Sequence, residues 1–435
     1  MNNDIFRKAD EQSRRTFMVD SAQKFLGVSI LPVIAGSAKA ANTAANFAPS
    51  HPKAAKSVIF INCTGGMSHL DTFDPKEKKD VMGPNKAIPT NADGVRLSQY
   101  LPKLAAHGDK IVPINSMTTT QGAHRQGQYI MHRSYAPRGT IVHPVMGSWV
   151  LRLSGKRNSS IPGFVTIGNR DGTSSSGFLG PKFAAVPIGD PHAGIEDSQL
   201  PSGVSAEDFD RRLELASAMN TRFKETFDHK KVRGYENLYS DAIDLMKAED
   251  LKAFDISAEP ADMAAEYGES RFGQGCLLAR RLVEHDVRYV EITYGGWDTH
   301  YDNFTNVEEN CMAFDEGLSA LLGDLDRRGL LESTVVAVGT EFGRTPKIVE
   351  HHQMGRDHFP RAFSHLIAGG GIQGGQTYGE TTSTGMDVDS NPVTPEMFNG
   401  TIAYALGLPL EQVIMSPSGR PFYVSNKAKP ITAIF

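Results

Sequence analysis

The sequence predicts an α/β protein built on a central, mostly parallel sheet with helices on both faces. Short apolar runs recur at Ser57–Asn62, Lys110–Ile114, Gly163–Ile167, Val287–Thr293, Ser333–Val338 and Phe363–Ala368. Each is too short for a core helix and too continuous for a half-exposed strand, so each reads as a strand buried on both sides. Amphipathic stripes lie between them, and strand and helix in alternation favour a parallel sheet.

Taken in order, the chain opens on Ser13-Arg14-Arg15-Thr16-Phe17-Met18, a moderately apolar stretch from Phe25 to Ile34, and Ala38-Lys39-Ala40. Basic region, apolar region and small-residue cleavage site in that order predict a twin-arginine signal peptide over residues 1–40. Gly27 and Pro32 interrupt an apolar run already too short to span about 30 Å of hydrocarbon, so a stable membrane anchor is not expected. The expected partner is the twin-arginine export machinery, and the expected location is periplasmic or extracellular. Residues 41–56, rich in Ala, Asn and Pro, read as a flexible leader ahead of a domain over 57–435. Phe314, Leu318, Leu321, Leu322 and Leu325 share one helical face; Phe272, Cys276, Ala279 and Val283 form a second, and Phe209, Leu213, Ala216, Phe223 and Phe227 a third. Residues 170–205, heavy in Gly, Ser and Pro, read as a long loop-rich insertion.

Composition narrows the function. A formal net charge of −5 with interspersed signs leaves no basic stripe for nucleic acid. Cys63, Cys276 and Cys311 are odd in number and far apart, which fits neither a disulfide framework nor zinc-finger spacing.

In open α/β sheets, ligands bind beyond the carboxyl ends of the strands. The run ending at Thr293 is followed by Gly296-Trp297-Asp298-Thr299-His300, and the run ending at Val338 by Glu341-Phe342-Gly343-Arg344. Gly355-Arg356-Asp357-His358 precedes the run beginning at Phe363. Asp298, His300, Glu341, Asp357 and His358 are therefore candidate ligands of one divalent metal. Imidazole and carboxylate together suit zinc, manganese or iron better than calcium, with zinc or manganese favoured. Each segment also has a structural alternative: a turn at Asp298 and His300, a Glu341–Arg344 pair, or a cap or Arg356 pair for Asp357. After the first strand, Gly65-Gly66 suits a sharp turn, with His69 and Asp71 either behind the site or facing substrate. The loop Ser116 to Arg125 leads into a helix predicted from Ala123 to His132, whose first amides suit a phosphate or sulfate group.

These segments, with His69-Leu70-Asp71-Thr72-Phe73-Asp74, Thr345-Pro346 and Ala368-Gly369-Gly370-Gly371, resemble the exported family called domain of unknown function fifteen-oh-one. The resemblance runs from about Val58 to near the C-terminus. It implies an alkaline phosphatase-like fold and membership of the alkaline phosphatase and sulfatase superfamily, whose members carry one or two divalent metals. It also implies departures: Cys63-Thr64-Gly65 stands where the first-strand Asp is usual, Glu341-Phe342 where an Asp-His pair is usual, and no hydroxyl marks the nucleophile position near Gly122 to His124. One metal position then looks depleted. The expectation is a single-metal hydrolase of a phosphate, sulfate or related ester on a small molecule or glycan, with His124, Arg344 and Arg356 stabilising charge or moving protons. The alternative is a catalytically degenerate scaffold that binds a glycan or a partner protein.

Overall fold

The computed structural model describes residues 48–51, 53–168, 175–195, 203–205, 207–216, 245 and 248–435. The twin-arginine segment, most of the leader, part of the 170–205 stretch and the stripe beyond Ala216 lie outside them. The chain divides into two compact units, one of Ala38–Gly194 with Lys252–Phe435 and the other of Met1–Ser37 with Ile195–Leu251. The central sheet, its covering helices and the candidate site all belong to the first.

At the centre of that unit is a seven-stranded sheet. The strands are β1 Ser57–Cys63, β2 Ile111–Met117, β3 Phe164–Ile167, β4 Val186–Ile188, β5 Tyr289–Tyr294, β6 Thr334–Gly339 and β7 Phe363–Gly369, in the spatial order β2-β7-β6-β1-β5-β3-β4. All six predicted runs are strands. The seventh, β4, falls inside the stretch expected to be loop and pairs in parallel with β3 at the edge of the sheet. Three residues with a central Pro187 give no periodic signal, and an edge strand tolerates the missing amide.

β1 pairs in parallel with β5 and β6, its Ile59 opposite Val290 on one side and Val336 on the other. All seven of its residues are buried, as a strand covered on both faces requires. β7 runs antiparallel to both β2 and β6, so its amino end lies at the edge where the other strands finish. That reversal decides where the site forms.

Side chains alternate between the two faces of the sheet. Val58, Phe60, Phe164, Tyr289, Val335 and Ala337 face a core shared with helices α1 His124–Arg133, α2 Met146–Ser154 and α5 Pro395–Ala405. α2 sits close on the sheet because Gly147 leaves room for the Phe164 ring, which a Cβ there would meet at 2.7 Å. The opposite face carries α3 Arg271–Glu284, on which α4 Asn303–Arg327 packs. α3 starts at an N-cap, Ser270, whose hydroxyl accepts the Gly273 amide, and α5 at Thr394 with Pro395 in its first turn. The stripes read from Phe272 and Phe314 are the buried faces of α3 and α4. Among the described residues no helix is long and apolar enough to cross a membrane. The three cysteines are free and buried.

Two core histidines set an acid limit to stability. Burial pushes His69 down to about 3 and His365 down to about 4. His69 is held by the Gly385 carbonyl at 3.0 Å; the Nε2 of His365 lies 2.9 Å from the Thr340 carbonyl. With folded values below the unfolded one, their stabilisation is complete above about pH 6.5 and is lost as pH falls toward 4. Asp74, pushed up to about 6 by burial, works in the opposite direction, stabilising as pH falls through 6. Two histidines outweigh one carboxyl, so these three groups together cost stability as pH falls from 6.5 to 4. Urea unfolding midpoints of chelator-treated protein across that range measure it; a flat profile would contradict neutral, buried imidazoles.

Candidate metal centre

The parallel strands all finish at one edge, and β7 begins there. Four loops consequently meet: Gly65-Gly66 after β1, the segment into α1 after β2, Asp298 to His300 after β5, and Glu341 after β6. His358 enters from the run before β7. A two-residue antiparallel ribbon, Gly343–Arg344 against His358–Phe359, sets His358 opposite Arg344.

At this meeting point three imidazoles surround one carboxylate. His124 Nε2 lies 3.4 Å from Asp298 Oδ2, while His300 Nε2 and His358 Nε2 lie 3.3 and 3.7 Å from Asp298 Oδ1. Each ring is held from behind through Nδ1. That of His124 is 2.6 Å from Glu341 Oε1, that of His300 is 3.0 Å from Asp357 Oδ1, and that of His358 donates to the Gly122 carbonyl at 2.8 Å. An imidazole whose Nδ1–H is engaged in this way presents an Nε2 lone pair, the arrangement that orients metal-ligating histidines.

The Nε2 atoms of His300 and His358 are only 3.0 Å apart. With both Nδ1 atoms donating, two lone pairs would face each other, a contact that needs a proton or a cation between them. His124 Nε2 is buried without a hydrogen bond. His124, Asp298 and His358 can each offer a ligand atom within 4.8 Å of the others. Separations of 3.0 to 3.7 Å, with His124 facing Oδ2 and the other two rings facing Oδ1, bracket the roughly 3.3 Å expected between neighbouring donors on a tetrahedral ion with bonds of about 2.0–2.1 Å. The residues therefore fit a divalent metal.

Electrostatics differ from ring to ring. The hydrogen bond to Glu341 draws His124 above the ordinary imidazole value despite partial burial. Burial holds His358 below it, favouring the neutral form that a ligand needs. Burial alone would raise Asp298, but the bond and charge of Arg344, helped by His124 and His300, bring it below the usual carboxylate range.

Of the five predicted ligands, Asp298, His300 and His358 meet, whereas Glu341 and Asp357 stand one step back. Glu341 is buried and spoken for: Oε1 accepts the Gly65 amide at 3.0 Å as well as facing His124. His124, predicted to be catalytic, faces Asp298 with Glu341 behind it, because it stands in the first turn of α1. Arg344 and Arg356, expected to stabilise charge on substrate, are both fully buried. Arg344 donates to Asp298 and to the carbonyls of Gly65, Gly66 and Arg356. It holds Asp298 in place. Arg356 turns away from the cluster to pair with buried Asp71 at 2.8 Å and to donate to the carbonyls of Thr345, Pro346 and Val81. His69, read as either behind the site or facing substrate, is a core residue stacked on Phe359.

Gly65 is one of the tight points of the assembly. Its φ is +119°, and a Cβ there would meet the Asp298 amide nitrogen at 2.5 Å. Only glycine lets the β1 and β5 loops approach this closely. Phe342 lays its ring against His124 and His358, with centroids 4.9 and 4.6 Å away. Among the described residues no hydroxyl side chain hydrogen-bonds to the four-residue cluster.

Among curated proteins none matches this chain. Solved structures similar to it include the lipoteichoic acid synthase LtaP from Listeria monocytogenes, at 10% identity and TM-score 0.39, covering 83% of this chain and 75% of that one. Alkaline phosphatase from the Antarctic bacterium TAB5 is similar at 11% identity and TM-score 0.34, covering 82% and 98%. The PsFucS1 sulfatase from Pseudoalteromonas sp. is similar at 11% identity and TM-score 0.35, covering 85% and 76%. Likenesses this remote bear on neither the site nor its substrate. The motifs at the strand ends bear on family, and there the match spans residues 55–435: the chain belongs to the family described as Protein of unknown function (DUF1501).

Proposed function

We propose that the protein is an exported, single-metal hydrolase of a phosphate, sulfate or related ester, with His124, Asp298, His300 and His358 as the metal ligands. The observation that carries this reading is the convergence of three Nε2 atoms on one carboxylate, each ring fixed from behind by its own acceptor. When bound, a divalent metal would supply Lewis acidity toward the ester oxygen or toward water. The chain does the rest. Glu341, Asp357 and the Gly122 carbonyl fix ring orientation, and Arg344 keeps Asp298 ionised and aimed inward. Phe342 closes one side against water. The reading assigns the anionic ester's charge to Arg125, exposed and next to His124 in sequence at the start of α1.

Purified protein is expected to carry one equivalent of zinc or manganese. It should turn over at least one member of a panel of aryl phosphates and sulfates, and chelation should remove that activity. Wild-type protein that carries no divalent metal and turns over nothing would reject the proposal. The Phe342 wall, with no hydroxyl among the described residues hydrogen-bonded to the cluster, favours a second reading, a scaffold that binds a glycan or partner protein. Unchanged binding in metal-free protein with no turnover would select it.

A further inference from the structure

A groove of about 590 Å³ opens beside the candidate metal centre, between α1 and the chain around Pro421 and Phe422. Its floor is aromatic and rigid. Tyr135 stacks on His143 at 4.6 Å, Phe422 meets both rings edge-on at 5.3 and 5.2 Å, and the Tyr135 hydroxyl donates to the Tyr423 carbonyl while accepting its amide, each at 2.9 Å. Arg138 and Arg420 stand on its walls, exposed. Neither makes an ion pair among the described residues; Arg420 touches only the Thr140 hydroxyl, at 3.4 Å. Their backbones are nonetheless fixed, Arg138 by a bridge to Ile141 and Arg420 by two hydrogen bonds to Ser416. Glu396 adds one acceptor.

Two unpaired guanidinium groups on a set frame, in a chain of net charge −5, are out of keeping with a neutral surface. The groove also shares a wall with the metal centre. Gln121 lines it, and the next residue, Gly122, holds His358 through its carbonyl. Ile130 lines it from the same helix that begins at His124, about 9 Å further along the axis. That separation suits a neighbouring unit of a polymer, not the group being cleaved.

We propose that this groove is a subsite for an anionic glycan. A sulfate or phosphate on a neighbouring sugar pairs with Arg138 and Arg420, whose planar forks match its oxygens. The inference rests on the proposed function only for which unit is cleaved, because binding at the groove needs no turnover.

The test is calorimetric titration of the metal-loaded protein with a chondroitin sulfate hexasaccharide, a phosphorylated maltohexaose and unmodified maltohexaose. One charged glycan is expected to bind at least tenfold tighter than the uncharged one, and which one identifies the ester. The Arg138→Ala/Arg420→Ala variant should lose that affinity at least tenfold while keeping its metal content and its rate on aryl esters. Equal binding of charged and uncharged glycans, no binding of either charged one, or unchanged affinity in the variant would overturn the subsite. Glycan binding without aryl ester turnover by wild type would sink the hydrolase reading and leave the subsite standing.

Discussion

Replacing Asp71 with alanine is expected to destabilise the fold by about 3–5 kcal/mol, because it leaves the Arg356 guanidinium buried and unpaired. Both side chains are fully buried, and no water can substitute. Asp71 also accepts from the Ser68 hydroxyl at 2.6 Å and from the Asn303 amide at 3.0 Å, so one carboxylate ties the first loop to the start of α4 and to the segment before His358. Chemical unfolding of Asp71→Ala measures the loss. The double variant Asp71→Leu/Arg356→Met should recover the part that comes from the unpaired charge, and not the part carried by the Ser68 and Asn303 donors and the carbonyls that Arg356 serves. The two variants separate a structural Arg356 from one that meets substrate. Near wild-type stability in Asp71→Ala, with activity lost, would return Arg356 to a chemical role.

Removing a ligand should act on metal affinity and leave the fold standing. His358→Ala takes away one of the converging Nε2 atoms, and bound zinc or manganese is expected to fall below detection after dialysis. Glu341→Gln is the subtler change. It leaves an oxygen to accept the Gly65 amide but weakens the grip on His124 Nδ1, and outer partners of metal ligands typically contribute about 10–100-fold in affinity. The expected order is wild type, then Glu341→Gln, then His358→Ala, read by competition with a chromophoric chelator. Metal affinity unchanged in both variants would remove the assignment of this cluster.

Much of this arrangement was legible from residue types alone. Val, Ile and Phe in unbroken runs announced six strands, because a strand covered on both faces must be apolar throughout. The direction of β7 was not legible, since Phe363–Gly369 would be equally apolar running either way. β4 was missed because three residues carry no period. At the site, Asp298, His300 and His358 stood out as donor groups beside strand ends. That Glu341 would face an Nδ1 and Asp298 three Nε2 atoms was hidden, because both are carboxylates just beyond strand ends in the sequence. His124 was legible as a site residue but not as part of the metal-capable cluster. Its signal was a histidine in the first turn of a helix that follows a strand end.

The antiparallel direction of β7 also governs when the site can exist. Its donors come from residue 124, from 298 and 300, and from 358, and the last of these is held in place by a strand that follows it in the chain. A nascent chain lacks the closing donor until residue 358 and the strand after it have been made, so no shorter product carries the full set of donors. Passage of an unfolded chain through a pore would deliver the donors outside, among competing cations. A route that accepts only finished cargo, as the paired arginines at Arg14 and Arg15 predict, would leave the choice of metal to the compartment of synthesis.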